Sequence, residues 1–437
     1  MKRRDFLRMA GLAAAPFIIP SRLFGQNNAA PSRRLNVAAI GTGSQWGGHR
    51  NYILGQKNLQ LTWICDVDAG RRRSNVDTVS AAYAKRDGVT AYNGVRQTGD
   101  FREALADRDV DVVWICTPDH WHALTLIAAA QAGKHVYVEK PLARTIAEGR
   151  AMVRAARRAG VVCQVGCQQR SSRECRRAVA LARMGVLGDI KTVRVGLPGG
   201  GGNRNLAWAP SAPPADLDFQ MWLGPTPDVP YMPQRVHYEW RWNYAYAGGQ
   251  LTDWINHHYD MAQLMYGVSE VAPVAIHNAS ASFGNSAVYD TATEYSFAVE
   301  YPDNKVIEVS NRYWGGVEMI GSEGWIKVTR GGIEHSSQAL KSLVVPAGAY
   351  DVPGRATEHG HQQNFIDAIL NGLTPRAPIL HAHYTALPAH LANAAFRAGV
   401  DELRWDAGTE RVTNSDEAQR LLACNYRAPW ALADAGK

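Results

Sequence analysis

A glycine-rich turn, Gly41-Thr42-Gly43-Ser44-Gln45-Trp46-Gly47-Gly48, follows directly on the apolar run 35–40. Glycines there permit a tight turn and let a pyrophosphate approach backbone N–H groups, and the helix start that follows adds a favourable dipole. The spacing is G-x-G-x-x-x-G, with Trp46 where a dinucleotide fingerprint has its third glycine. A second apolar run, 61–65, ends in Asp66, close to the distance at which a ribose-binding carboxylate is expected. A carboxylate there bonds the adenosine-ribose hydroxyls and repels a 2′-phosphate, which favours NAD; Arg71, Arg72 and Arg73 are the groups that would read NADP instead. Far downstream, Asp253 and His257 stand four residues apart, on one face of a helix, with Asp260 near it. A carboxylate beside an imidazole suits acid–base work, because the ordinary imidazole pKa lies near working pH.

These groups need a scaffold. A third strand, 111–116, ends in Thr117-Pro118-Asp119-His120-Trp121-His122. A helix over 123–132 follows and stops at Gly133, and a strand over 135–138 runs into Glu139-Lys140-Pro141. Strand and helix alternate throughout, which predicts an α/β fold with a Rossmann-type, doubly wound parallel sheet. Ligands bind at the carboxyl ends of such strands. Thr117, Pro118, His120, Glu139 and Lys140 fall there, and with Gly41, Gly43, Ser44, Gln45, Trp46 and Asp66 they form the expected cofactor set. Later segments, 190–195, 271–276, 292–301, 305–313 and 325–328, read as strands, and 364–370 and 387–398 as helices. The Pro- and Gly-rich stretch 197–234 carries aromatics and reads as an ordered active-site loop. The chain thus divides into a leader (1–30), a dinucleotide-binding domain (31–167) and a second domain for substrate binding and oligomerisation (168–437).

The composition, 46% apolar and 20% charged over 437 residues, is that of a globular protein and excludes a disordered chain. The net charge of +7 suggests nucleic acid until it is located: residues 1–34 carry +6 and the rest +1, so no basic face remains for a phosphate backbone. Lys2-Arg3-Arg4-Asp5-Phe6-Leu7-Arg8 precedes a short apolar stretch and resembles a twin-arginine signal, which implies passage through the twin-arginine machinery to the periplasm. No cysteine follows that stretch to carry a lipid anchor, and no apolar run reaches the roughly 18 residues of a membrane span. All six cysteines read as structural, and His359-x-His361 and His381-x-His383 lack the partners of a metal site, so no metal is expected.

Taken in order, these motifs resemble the Gfo/Idh/MocA oxidoreductase superfamily. The residues that carry the likeness are the glycine turn, Cys116 to His122, Glu139-Lys140-Pro141, Gly248-Gly249-Gln250-Leu251-Thr252-Asp253 and His257-His258-Tyr259-Asp260. Asp218 to Pro225 and Tyr426-Arg427-Ala428-Pro429-Trp430 are similar to an exported bacterial branch of it. The resemblance implies a second domain on a large, mainly antiparallel sheet. It implies an NAD(P)-dependent enzyme and a sugar, polyol or glycoside substrate that loses hydride at a hydroxyl carbon; with Asp66 the cofactor is expected to be NAD, NADP less favoured, and export of a folded protein suits its being tightly held. Lys140, Asp253 and His257 would surround that carbon: His257 as base, Lys140 donating to the same oxygen, Asp253 orienting hydroxyls and imidazole. His258 is the runner-up base. His120 would approach the nicotinamide ribose, Arg170 would bind a substrate hydroxyl or carboxylate, and His237, Trp240 and Tyr244 belong to an aromatic approach that would stack on sugar faces. Where the family carries glycine two residues after the aspartate, this chain has Ile255, which would reshape the pocket floor. A minority of the family are glycosidases that use NAD transiently, and this is the second expectation, with His237 or Tyr244 as the extra base. A non-catalytic sugar-binding protein on the same fold is the third. A homo-oligomer, dimer or tetramer, is also expected.

Overall fold

The computed structural model describes residues 34–201, 209–284, 286–346 and 360–432. The expected leader, 1–30, lies outside the described residues.

Six strands form the first sheet: β1 (Leu35–Ile40), β2 (Leu59–Cys65), β3 (Arg96–Thr98), β4 (Val112–Ile115), β5 (His135–Val138) and β6 (Cys163–Val165). Their order is β3-β2-β1-β4-β5-β6 and every pairing is parallel. The apolar runs follow from this, because a parallel sheet is covered on both faces. In β4, all four residues are inaccessible to solvent. The order reverses between β1 and β4, and there the carboxyl ends splay into the crevice that ligands use. The helix after β4 spans Asp119–Gln131, starting four residues before the expected 123. Pro118 at its N-cap, with φ −59°, is already set for a helix start and needs no donor there.

The second sheet follows in β7 (Ile190–Gly196), β8 (Ala275–Phe283), β9 (Ala292–Tyr301), β10 (Lys305–Ser310), β11 (Gly316–Gly321), β12 (Gly324–Val328), β13 (Ile333–His335), β14 (Leu403–Asp406) and β15 (Arg411–Val412). The order is β13-β12-β11-β7-β10-β9-β8-β14-β15; β7 and β10 pair in parallel and the other neighbours antiparallel. In β9, Tyr295, Phe297, Val299 and Tyr301 alternate inward, so one face is apolar. The helices Arg173–Arg183, Gly249–Tyr266 and Ile379–Ala398 cover that face and complete the main core of this half. The other face carries polar pairs such as Arg194–Glu308 at 3.0 Å and Lys327–Glu318 at 3.0 Å.

The two halves are stitched together. Phe365, on the helix His361–Asn371, packs edge-on against Trp114 of β4 and Tyr137 of β5, so a late segment closes a face of the first sheet. The helix expected over 387–398 begins at Ile379, with Pro388 inside it. The strand expected over 271–276 is shifted to β8, and that expected over 305–313 ends at Ser310.

Candidate active site

At the β1–β4 switch point the chain folds around a cavity of about 360 Å³. Its floor is the glycine turn. Gly41 has φ +81°, and a Cβ there would lie 2.7 Å from Cys116 C and Thr117 N, so only glycine lets the first turn close on the end of β4. Gly41, Gly43, Ser44 and Gln45 line one wall, and Thr117 and Pro118 another. Asp66 closes β2 at the same edge. Its Oδ2 accepts from Thr42 N at 2.7 Å and Thr42 Oγ1 at 3.1 Å, and its Oδ1 from Asp68 N at 2.9 Å. The carboxylate therefore shapes the glycine turn and keeps acceptor capacity on Oδ1 for a ligand. The three arginines separate. Arg71 lines the cavity and meets His237 Nδ1 at 2.6 Å, Arg72 donates to the Asp66 carbonyl, and Arg73 pairs with Asp216 at 2.9 Å.

At the far end lies a charged, hydrogen-bonded cluster. Lys140 Nζ donates to Asp253 Oδ1 at 2.6 Å and to Asp253 O at 3.1 Å, so the end of β5 meets the helix Gly249–Tyr266 through a charged hydrogen bond. Arg241 Nε stands 3.6 Å from the same Asp253 oxygen, its guanidinium 4.5 Å from the ring centres of both Tyr238 and Trp240. Behind Lys140, Glu139 is buried and accepts from His49 Nε2 at 2.8 Å, Gln168 Nε2 at 2.9 Å and Lys140 N at 3.2 Å. Burial pushes its carboxyl up, but His49 and Lys140 outweigh that and hold it below the usual range. Gly166 makes room for it: a Cβ there would lie 2.7 Å from both carboxylate oxygens. His257 lies one turn beyond Asp253, 4% exposed, with Nδ1 buried and unpartnered among the described residues. Burial, then the charges of Lys140 and Arg330 and the neighbouring His258, hold its pKa well below the ordinary value. The expectation of an ordinary imidazole is thereby corrected: this ring starts neutral and accepts a proton weakly.

Several expected site residues are elsewhere. Trp46 is buried in the core behind the turn, its Nε1 donating to Asn75 at 3.0 Å. His120 Nε2 meets the Trp222 carbonyl at 2.9 Å and its ring packs on Trp222 and Tyr246, away from the cavity; burial lowers its pKa to about 3. Arg170 does not line the cavity: it is 1% exposed and clamps Asp260 through Nε at 2.7 Å and Nη2 at 2.5 Å. Tyr244 lies under Arg397, 3.5 Å from its ring centre, and His258 Nδ1 meets Gly196 O at 2.8 Å. His237 and Trp240 do line the cavity. Ile255 sits in the core of the second half and not in the cavity wall. Sequence reasoning missed His49 and Asp119, whose polar atoms reach the site only through tertiary packing; a carboxylate at a helix start after a buried strand was the one available signal for Asp119.

The residues fit a dinucleotide. The cradle at Gly41 excludes a side chain, Asp66 retains an acceptor, and Thr117 Oγ1 is a buried hydroxyl with no partner among the described residues. Among those residues, no group of three or more His, Cys, Asp or Glu is placed to hold a metal ion. All six cysteines are free.

Comparison with known proteins agrees in kind. The model of an oxidoreductase family with an NAD-binding Rossmann fold matches residues 35–167, and that of the family's C-terminal alpha/beta domain matches 199–313. A glycosyl hydrolase family 109 protein of Shewanella pealeana is 26% identical over 206 residues, 44% of each chain. A 4-carboxy-2-hydroxymuconate-6-semialdehyde dehydrogenase of Sphingobium is 42% identical over 136 residues, 31% of this chain and 39% of the relative. The chain therefore spans less than half the length of the curated relatives it matches. An aldose-aldose oxidoreductase of Caulobacter crescentus, solved with glycerol, superposes with a TM-score of 0.60 at 20% identity, over 85% of this chain and all of the other. A levoglucosan dehydrogenase solved with NADH and levoglucosan gives 0.55 at 23%, over 85% and 99%. These likenesses establish the fold. With both family models matched, together over more than half of the chain, the protein belongs to the Gfo/Idh/MocA family of NAD-binding oxidoreductases.

Proposed function

We propose that the protein oxidises a hydroxyl carbon of a sugar, polyol or glycoside, using an NAD that it holds tightly. The observation that carries this is the 2.6 Å contact between Lys140 and Asp253 at the edge of a cavity that continues to the glycine turn. When bound, the nicotinamide cofactor supplies a hydride acceptor. The chain's own groups manage the proton and the charge. Lys140 donates to the substrate oxygen and stabilises the negative charge that builds on it as the hydroxyl proton leaves, before hydride departure turns that oxygen into a neutral carbonyl. Asp253 holds the ammonium and orients neighbouring hydroxyls. His257, one turn beyond Asp253 and behind the cavity lining, starts neutral; it is the proposed proton acceptor, a weak one that depends on Lys140 and Asp253 beside it.

Tight retention is supported by a strap from the second half. Ala69 N donates to Asp216 O at 2.8 Å and Asp218 N to Val67 O at 3.1 Å, and Arg71 meets His237. These contacts join or adjoin residues that line the cavity beside Asp66. Retention suits the export that the paired Arg3 and Arg4 suggest, since folded proteins use that route and free NAD is scarce outside the cytoplasm. An exported enzyme would recycle its cofactor by oxidising one sugar and reducing another. We also propose a homo-oligomer. Changing Arg3 and Arg4 to lysine is expected to leave the precursor in the cytoplasm; normal periplasmic accumulation would refute export by this route.

The similarity to glycosyl hydrolase family 109 proteins favours a second reading. Oxidation of one sugar carbon would acidify the neighbouring C–H, allow elimination of the glycosidic oxygen, and be reversed after water adds. His237 is the group at the cavity that could serve as the extra base. Incubating the cofactor-loaded protein with sugars and aryl glycosides tests both. Reduction of bound cofactor seen at the nicotinamide absorbance supports oxidoreduction, and aglycone release without net absorbance change supports the glycosidase. Neither signal with any compound would refute both.

A further inference from the structure

The helix Asp119–Gln131 opens on a carboxyl group that the proposed chemistry does not use. Asp119 is 2% exposed, yet it lines the cavity beside Lys140, Asp253 and Arg241. Among the described residues no hydrogen bond or ion pair reaches its side chain, and its oxygens are not sealed among the buried unpartnered atoms but open onto the cavity. Buried carboxyls are paired as a rule, because an unmade hydrogen bond leaves the full cost of desolvation standing. An orphan that faces a cavity is one that a ligand satisfies.

The charges that act on it come from four places: Asp253 on the helix Gly249–Tyr266, Arg241 on the turn Glu239–Trp242 and Lys140 after β5, which share the cavity with it, and Glu148 on the helix Ile146–Ala159, which does not. Burial, then the charge of Asp253, raise the Asp119 carboxyl well above the usual range; Arg241 and Lys140 pull the other way and do not compensate. The helix start also favours the anion, but its effect is confined to a partial charge. The protonated group offers one O–H and one carbonyl oxygen, the complement of a hydroxyl, which both accepts and donates.

We infer that Asp119 binds the substrate directly, donating a hydrogen bond to a hydroxyl beside the reacting carbon and so setting which hydroxyl pattern the cavity accepts. The inference rests on the reading of this cavity as a carbohydrate site. A site that hydrogen-bonds a hydroxyl rejects the deoxy analogue far more strongly than an apolar pocket rejects an extra group, since its own buried group is left unpaired.

The test uses cofactor-loaded wild type, Asp119→Asn and Asp119→Ala, with D-glucose, D-galactose and myo-inositol as probes. The wild type is expected to keep, above the pH range in which an exposed carboxyl ionises, the infrared carbonyl band of a protonated carboxyl that is missing from Asp119→Asn, and at least one probe should shift it to lower frequency. That probe should bind Asp119→Ala about 10–100-fold more weakly, the loss expected when one buried hydrogen bond is removed. Asparagine, which also donates and accepts, should restore most of the affinity, while native mass spectrometry finds the cofactor retained in both variants. The inference is overturned if no band depends on Asp119, if no probe moves it, or if Asp119→Ala sheds cofactor while sugar affinity is unchanged. The band needs no turnover. A protein that shows band and shift but transfers no hydride would refute the oxidoreductase reading and leave this one standing.

Discussion

At the scale of single residues, the site combines groups visible in the sequence with groups that only the fold reveals. Lys140, Asp253 and Gly41 stand in spacings that specify where they must be, at strand ends and on one helix face, and they line one cavity; His257, expected with Lys140 and Asp253, lies behind that lining. Arg170, Trp46, His120 and Tyr244 have the right chemistry and neighbourhood but point into packing. Residue type and position along the chain do not say which way a side chain turns once its element is buried. Asp66 shows both sides: it lines the cavity at the end of β2, where the proposed cofactor's ribose would be read, and it also braces Thr42 through two hydrogen bonds. Asp66→Ala should therefore weaken NAD binding and relax discrimination against NADP, as fluorescence titration with both cofactors would measure. A wild type that already prefers NADP would transfer the reading to Arg71, the one of the three arginines in the cavity.

At the scale of elements, the helix Gly249–Tyr266 matters most, because it carries Asp253 and His257 and must not rotate. Its lower half is pinned by Asp260, which accepts from Arg170 twice and from Thr385 Oγ1 at 3.0 Å, all fully buried. Removing one partner of such a pair leaves a buried charge uncompensated. Arg170→Met should cost about 3–5 kcal/mol in urea unfolding, whereas a loss under about 1 kcal/mol would mean the clamp is dispensable. The pairing of Arg170 with Asp260 spans 90 residues and was not legible in the sequence. The parallel sheet was, since its buried strands and glycine-terminated helices repeat a local pattern. The second sheet was harder: β11 starts on a glycine and β13 to β15 are two to four residues long, too short for alternation to show.

At the scale of the whole molecule, buried histidines tie stability to pH. Burial lowers His120 and His390 to about 3 and His361 to about 4, while the unfolded chain protonates them near 6.5. Below 6.5 the unfolded state binds more protons, so stability falls as pH drops toward the folded values, by about 1.4 kcal/mol per histidine for each pH unit. Calorimetry should show Tm falling steeply between pH 6.5 and 4; a flat Tm from pH 7 to 5 would contradict the neutral, buried assignment. The central claim, that Lys140 and its Asp253 partner serve hydride transfer at this cavity, has a more direct test. In single turnover, a sugar that reduces the bound cofactor of the wild type is mixed with cofactor-loaded Lys140→Met, and the nicotinamide absorbance is followed. The account predicts a folded, cofactor-retaining variant whose hydride transfer is slower by about 10²–10⁴-fold. A near-wild-type rate would contradict it, and would reduce Glu139-Lys140-Pro141 to a turn that ends a strand.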